Sequence, residues 1–157
     1  MSRVLQLRVL IDRDPEKILD LIKDYQAELA VVHNDIEISG KTLEAANKEQ
    51  ASLLYFYDSR RVELDTIVKL LDAKVQAVRG RLYKSYTETY TRTLGERAKD
   101  KYIDQEPEFW KFFQIYLEVQ ELHLKYKSIV EVFLNRGFSL ANITKARIAS
   151  VHNDTID

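Results

Sequence analysis

Apolar residues alternate along the first stretch of the chain, where Leu5, Leu7, Val9 and Ile11 fall on one side of residues 4–11 with the period of a short strand. The period then changes. Asp14-Pro15-Glu16 supplies an N-cap, a proline at the first helical position and an acid in the first turn, so a helix is predicted from there. Its apolar positions Ile18, Leu21 or Ile22, Tyr25, Leu29, Val32 and Ile36 keep helical spacing until Ser39-Gly40 marks a stop. A second helix is predicted from Thr42, because Leu43, Ala46, Leu53, Tyr57, Leu64, Ile67, Leu71, Val75, Val78, Leu82 and Tyr86 follow a coiled-coil-like 3/4 spacing. From 42 to 90 such a helix is ~70 Å long at 1.5 Å per residue. A compact chain of this size has a radius of gyration of only ~15 Å. The helix is therefore expected either to bend, near Asp58-Ser59 or at Gly80, or to be covered by neighbouring copies.

A third helix is predicted from Asp104 to Pro107 onward, with an unbroken heptad series at Phe109, Phe112, Tyr116, Val119, His123, Tyr126, Val130 and Phe133. Asn135-Arg136-Gly137 is expected to end it through a left-handed cap. Ser139 then caps a short final helix, with Phe138 stapled onto Ile143 and a face of Leu140, Ile143, Arg147 or Ile148 and Val151. The fold class expected is all-α: long helical-hairpin, coiled-coil-like helices, a short C-terminal helix and a short N-terminal strand. One domain, 1–157, divides into an acidic segment 1–39, a long helix with a basic strip over 42–101, and C-terminal oligomerisation helices over 104–157.

Composition narrows the chemistry. The 157 residues include no cysteine, which removes disulfides, thiolate metal sites and a catalytic thiol. No apolar run is long enough to span a membrane, and no signal peptide precedes the first helix, so a soluble cytoplasmic protein is expected. Glycines stand only at 40, 80, 95 and 137, leaving no phosphate-cradling loop. His33, His123 and His152 are isolated, and Glu118, Glu121 and His123 lack the repeated spacing of a helical metal site. Neither a metal, a cofactor nor an enzymatic activity is expected.

Charge is balanced overall, 24 basic against 25 acidic residues, but unevenly placed. Residues 12–50 hold ten acids and five bases, whereas residues 74–101 hold eight bases and three acids. This waist runs Lys74, Arg79-Gly80-Arg81, Tyr83, Lys84, Tyr86, Tyr90, Arg92, Arg97, Lys99 and Lys101. Bases neutralise phosphates and tyrosine faces accept unstacked bases, so the pattern suits single-stranded nucleic acid better than duplex. The plain alternative is a solvated helix face in a structural assembly.

Thr42-Leu43-Glu44-Ala45-Ala46-Asn47, some thirty helical residues later Arg79-Gly80-Arg81-Leu82, then Trp110 early in an apolar helix and Arg136-Gly137-Phe138, together resemble the UvsY-type recombination mediators of tailed phages. The resemblance covers roughly residues 40–86 and, more loosely, 102–150. It implies a helical protein of the infected bacterial cytoplasm that closes into a ring of about six or seven subunits and binds single-stranded DNA. Such a ring loads a RecA-like recombinase onto DNA coated by single-strand-binding protein. The family's basic-x-Arg element carries over to Arg79 and Arg81, with arginine in the first slot and Gly80 between. Arg81 and Lys84, one turn apart, are the expected core contact, flanked by Lys74, Arg79, Tyr83, Lys99 and Lys101. Oligomerisation falls to Phe109, Phe112, Tyr116, Val119, Tyr126, Val130, Phe133, Phe138 and Ile143. The competing expectation is a purely structural coiled-coil adaptor.

Overall fold

In the computed structural model, which describes residues 2–89 and 94–153, the alternating N-terminal stretch is a helix and not a strand. Helix α1 spans Arg3–Arg13, and the Ser2 hydroxyl caps it by accepting from the Leu5 N–H at 3.3 Å. A lone strand would leave its backbone groups without partners, whereas a helix pairs them internally. Leu7 and Ile11, one turn apart, are the two residues that α1 buries.

Helix α2, Glu16–Ile36, starts where Pro15 predicts and buries Ile18, Ile22 and Tyr25. Gly40 follows with φ +75°, a left-handed turn open to glycine at no steric cost. Helix α3, Leu43–Thr89, is a single helix with Thr42 as its cap, and neither Ser59 nor Gly80 interrupts it. Ala46, Tyr57, Leu64, Ile67, Leu71, Val75 and Val78 along it are all buried within the chain. The long basic helix expected to 101 ends at Thr89, and Glu96–Ile103 forms a separate helix, α4. Among the described residues no strand occurs.

Helix α5, Pro107–Asn153, runs straight through Arg136-Gly137, so the expected cap, the Ser139 restart and the Phe138 staple are all replaced by continuous helix. Gly137 has another role. A Cβ there would lie 3.0 Å from the Gln50 side-chain nitrogen, so glycine makes room for Gln50 to donate to the Phe133 carbonyl at 2.6 Å.

The chain forms two compact units. The first comprises Met1–Gln26 and Glu63–His123. There α1 runs parallel to α3, tied by Arg3 to Glu63 and by Lys74 to Asp12, while α5 runs antiparallel, with His123 beside Asp65 and Glu108 beside Arg81. Its core includes Leu7, Ile18, Leu71, Ile103 and Phe109.

The second unit comprises Ala27–Val62 and Leu124–Asp157. Its centre is aromatic: the Tyr57 ring stacks on Phe133 at 4.8 Å and tilts against Tyr126 at 6.2 Å. Both tyrosine hydroxyls donate to carboxylates of α2, Tyr57 to Asp35 at 2.7 Å and Tyr126 to Glu28 at 2.8 Å. At the end of the unit Arg136 is a three-helix clamp. Its guanidinium donates to the Ile36 carbonyl of α2 at 3.1 Å and, on α3, to Gln50 Oε1 at 2.5 Å and to Glu49. A hydrogen bond from Lys41, together with Arg136, holds the Glu49 carboxyl below the ordinary range against the opposing effect of burial.

Burial pushes the Tyr57 hydroxyl well above its ordinary value of 10.0, and the Asp35 carboxylate adds to the rise. Above about pH 10 the unfolded chain releases this proton before the native state does, so stability falls as pH rises through that window. Tyr57→Phe is expected to flatten the alkaline fall by up to about 1.4 kcal/mol per pH unit, measured by urea unfolding at stepped pH. A variant with the wild-type slope would contradict it.

Candidate nucleic-acid interface

The bases of the waist lie in the first unit on α3 and α4, and helical periodicity sends them in different directions. Residues two apart on a helix diverge by about 200°, and because α3 is unbroken at Gly80, Arg79 and Arg81 do diverge. Arg79 turns inward: its guanidinium reaches Asp100 at 3.2 Å and Asp104 at 3.3 Å, and lies 5.5 Å from the Phe109 ring. It fastens α4 and the start of α5 to α3. Lys74 likewise reaches Asp12 of α1 at 2.9 Å while standing over the Phe112 ring at 5.2 Å. Lys99 is 8% exposed, donating to the Thr87 hydroxyl at 3.0 Å with its ammonium 4.7 Å from the Tyr83 ring. These three bases are structural in their geometry.

Arg81 and Lys84 face outward. Their side chains are 61% and 75% exposed, and each has an exposed acid beside it, Glu108 for Arg81 and Glu88 at 3.8 Å for Lys84. Such exposed pairs contribute about 0–1 kcal/mol, so a phosphate can replace the carboxylate at little cost. Lys101 is exposed without a partner among the described residues, on the side of α4 turned away from Lys99. Tyr83 is 36% exposed. Tyr90 and Arg92 lie outside the described residues.

Two further exposed aromatic side chains, Tyr102 and Trp110, join this unit's surface. Tyr102 stacks on Tyr86 at 5.8 Å, and the Tyr86 hydroxyl donates to Glu106. Heptad counting misses both Tyr102 and Trp110 because each sits off the buried seam. Of the acids facing the strip, a local charge count finds Glu88 and Asp100 and misses the rest. Asp104, Glu106 and Glu108 follow the basic window, and Asp12 comes from the acidic front third.

The residues expected to build an oligomer seam divide as well. Phe109, Phe112, Val119, Tyr126 and Phe133 are buried inside their own units, and Tyr116 and Val130 are half-buried. Only Phe138 and Ile143 of that set present exposed apolar surface. Among the described residues no group of three or more histidine, aspartate or glutamate side chains is placed to hold a metal, and no helix is long and apolar enough to cross a membrane. Compared with known protein families, characterised proteins and solved structures, the chain finds no match.

Proposed function

We propose that the chain is a single-stranded DNA-binding recombination mediator. The observation that carries this reading is the pair Arg81 and Lys84, exposed one turn apart on an unbroken helix. Exposed aromatic surface at Tyr83 and Tyr102 in the same unit supports it, since rings stack on unpaired bases regardless of sequence. On this reading homo-oligomers, closing as rings, repeat the strip, and repetition raises affinity ~100-fold or more over one copy. A strand wrapped on such a ring is strained against its coat of single-strand-binding protein, and a RecA-like recombinase is loaded where the coat yields. The setting is the cytoplasm of an infected bacterium.

The double variant Arg81→Ala, Lys84→Ala tests it. Both side chains are exposed, so helicity and unfolding midpoint are expected to stay within about 0.5 kcal/mol of wild type. Affinity for a labelled oligonucleotide is expected to fall, and the slope of log affinity against log salt to become shallower by about 0.7 for each phosphate no longer neutralised. Unchanged affinity with an unchanged slope would favour the second reading, a structural helical adaptor. The pairing of Lys74, Arg79 and Lys99 supports that alternative, because it engages three of the strip's bases in contacts within the chain.

A further inference from the structure

Beyond Leu122, α5 carries two stripes. One is the buried stripe Tyr126, Phe133 and Leu140, and the other faces solvent as Glu131, Leu134, Phe138, Ala141, Lys145 and Ile148. The spacing of the outer stripe is 3,4,3,4,3, the repeat by which one helix lays a seam against another. Phe138 is 69% exposed, and Leu134 lines a groove of about 450 Å³ with Ala51, Leu54, Tyr55, Asp58 and Val130. This face lies wholly in the second unit, whereas the basic strip belongs to the first.

We propose that a second copy of this chain covers the face, its α5 lying antiparallel on the first about a two-fold axis between Phe138 and Ala141. Charge carries the choice of partner. Glu131 and Lys145 stand seven residues to either side of Phe138, both are exposed, and neither has a partner among the described residues. Residues seven apart lie within about 20° of one line on a helix, so both belong to the same seam. Antiparallel pairing about that axis brings Glu131 of each copy within one turn of the other copy's Lys145, twice over. A parallel partner would set Glu131 against Glu131 and Lys145 against Lys145, which is repulsive. At the centre the large Phe138 of one copy meets the small Ala141 of the other, the alternation that lets two helices close. Apolar centre and flanking charge are thus self-complementary under one operation, the requirement for an isologous contact. Such a contact closes on two copies and does not itself generate a ring, so it goes beyond the mediator reading and stands apart from it.

The chain's lack of cysteine makes the test direct. A single Ala141→Cys in the full chain is expected to crosslink to its own counterpart through a short bismaleimide. Lys127→Cys, on the same stripe, is expected not to, because antiparallel pairing places two copies of residue 127 ~35 Å apart. Glu131→Lys alone or Lys145→Glu alone is expected to weaken self-association by about tenfold or more, read by sedimentation velocity, and mixing the two variants to restore it. Crosslinking at both positions, or at neither, overturns the proposal, as does a single charge reversal that associates like wild type. Oligonucleotide affinity, measured on the same variants, is expected to be unchanged in the dilute, unassociated protein. A larger ring that persists while the Ala141→Cys variant fails to crosslink would leave the mediator reading standing and remove this interface.

Discussion

Arg136→Met is expected to lower the unfolding free energy by about 3 kcal/mol or more, read as a reduced urea midpoint at unchanged slope. The side chain is 4% exposed and holds α2, α3 and α5 at one point. Methionine fills much of the volume but donates nothing. The Ile36 carbonyl and Gln50 Oε1 then lose their donor, and buried polar groups left unpaired are where large losses arise. Glu49 keeps Lys41 at 2.7 Å and is less affected. Arg136→Lys is expected to recover only part of the loss, because one ammonium cannot reproduce a planar fork aimed at several acceptors on two helices. Midpoints indistinguishable from wild type would show that the clamp is dispensable.

Phe133→Ala is expected to destabilise the second unit by about 3–5 kcal/mol, the range for emptying a fully buried aromatic site. The ring has no exposed surface and stacks on Tyr57, so its removal leaves a cavity beside Tyr57. The same experiment separates intrachain core from oligomer seam. A loss that is independent of protein concentration places Phe133 in its own chain's core, whereas a seam residue would give a midpoint that rises with concentration. Phe138→Ala, five residues on and largely exposed, is expected to change unfolding by no more than about 0.5 kcal/mol in dilute protein. A large loss there together with a small one at Phe133 would reverse the assignment.

Legibility in the sequence follows the range of the interactions. Helix α2 is readable because Asp14, Pro15 and Glu16 signal its start locally, and the α3 stripe is readable because its period persists for many turns. Helix α1 is ambiguous because Leu5, Leu7, Val9 and Ile11 together keep the period of a strand while Leu7 and Ile11, one turn apart, also keep that of a helix, and the burial of that pair decides between them. Gly137 resembles a helix stop to any local rule. Its reason is Gln50, which reaches the Phe133 carbonyl 83 residues away in sequence. The basic strip is visible as composition, yet its division into inward and outward bases depends on Asp12, Asp100, Asp104 and Glu108, whose positions follow from tertiary structure. Arg81 and Lys84 stand out in the sequence because one-turn spacing is local, and the structure leaves both at the surface.

Neither compact unit is a contiguous stretch of chain, and this sets an order of events during synthesis. When α3 has left the ribosome, Tyr57, Leu64, Ile67 and Leu71 have α1 and α2 available but not the helix that completes their burial. The first unit gains its missing wall once the stretch to His123 is made, and the second only after Phe133, Arg136 and Leu140 have emerged. The segment that closes the second unit is therefore made after the one that closes the first, and a nascent chain paused within α5 presents an apolar α3 stripe to the chaperones around it.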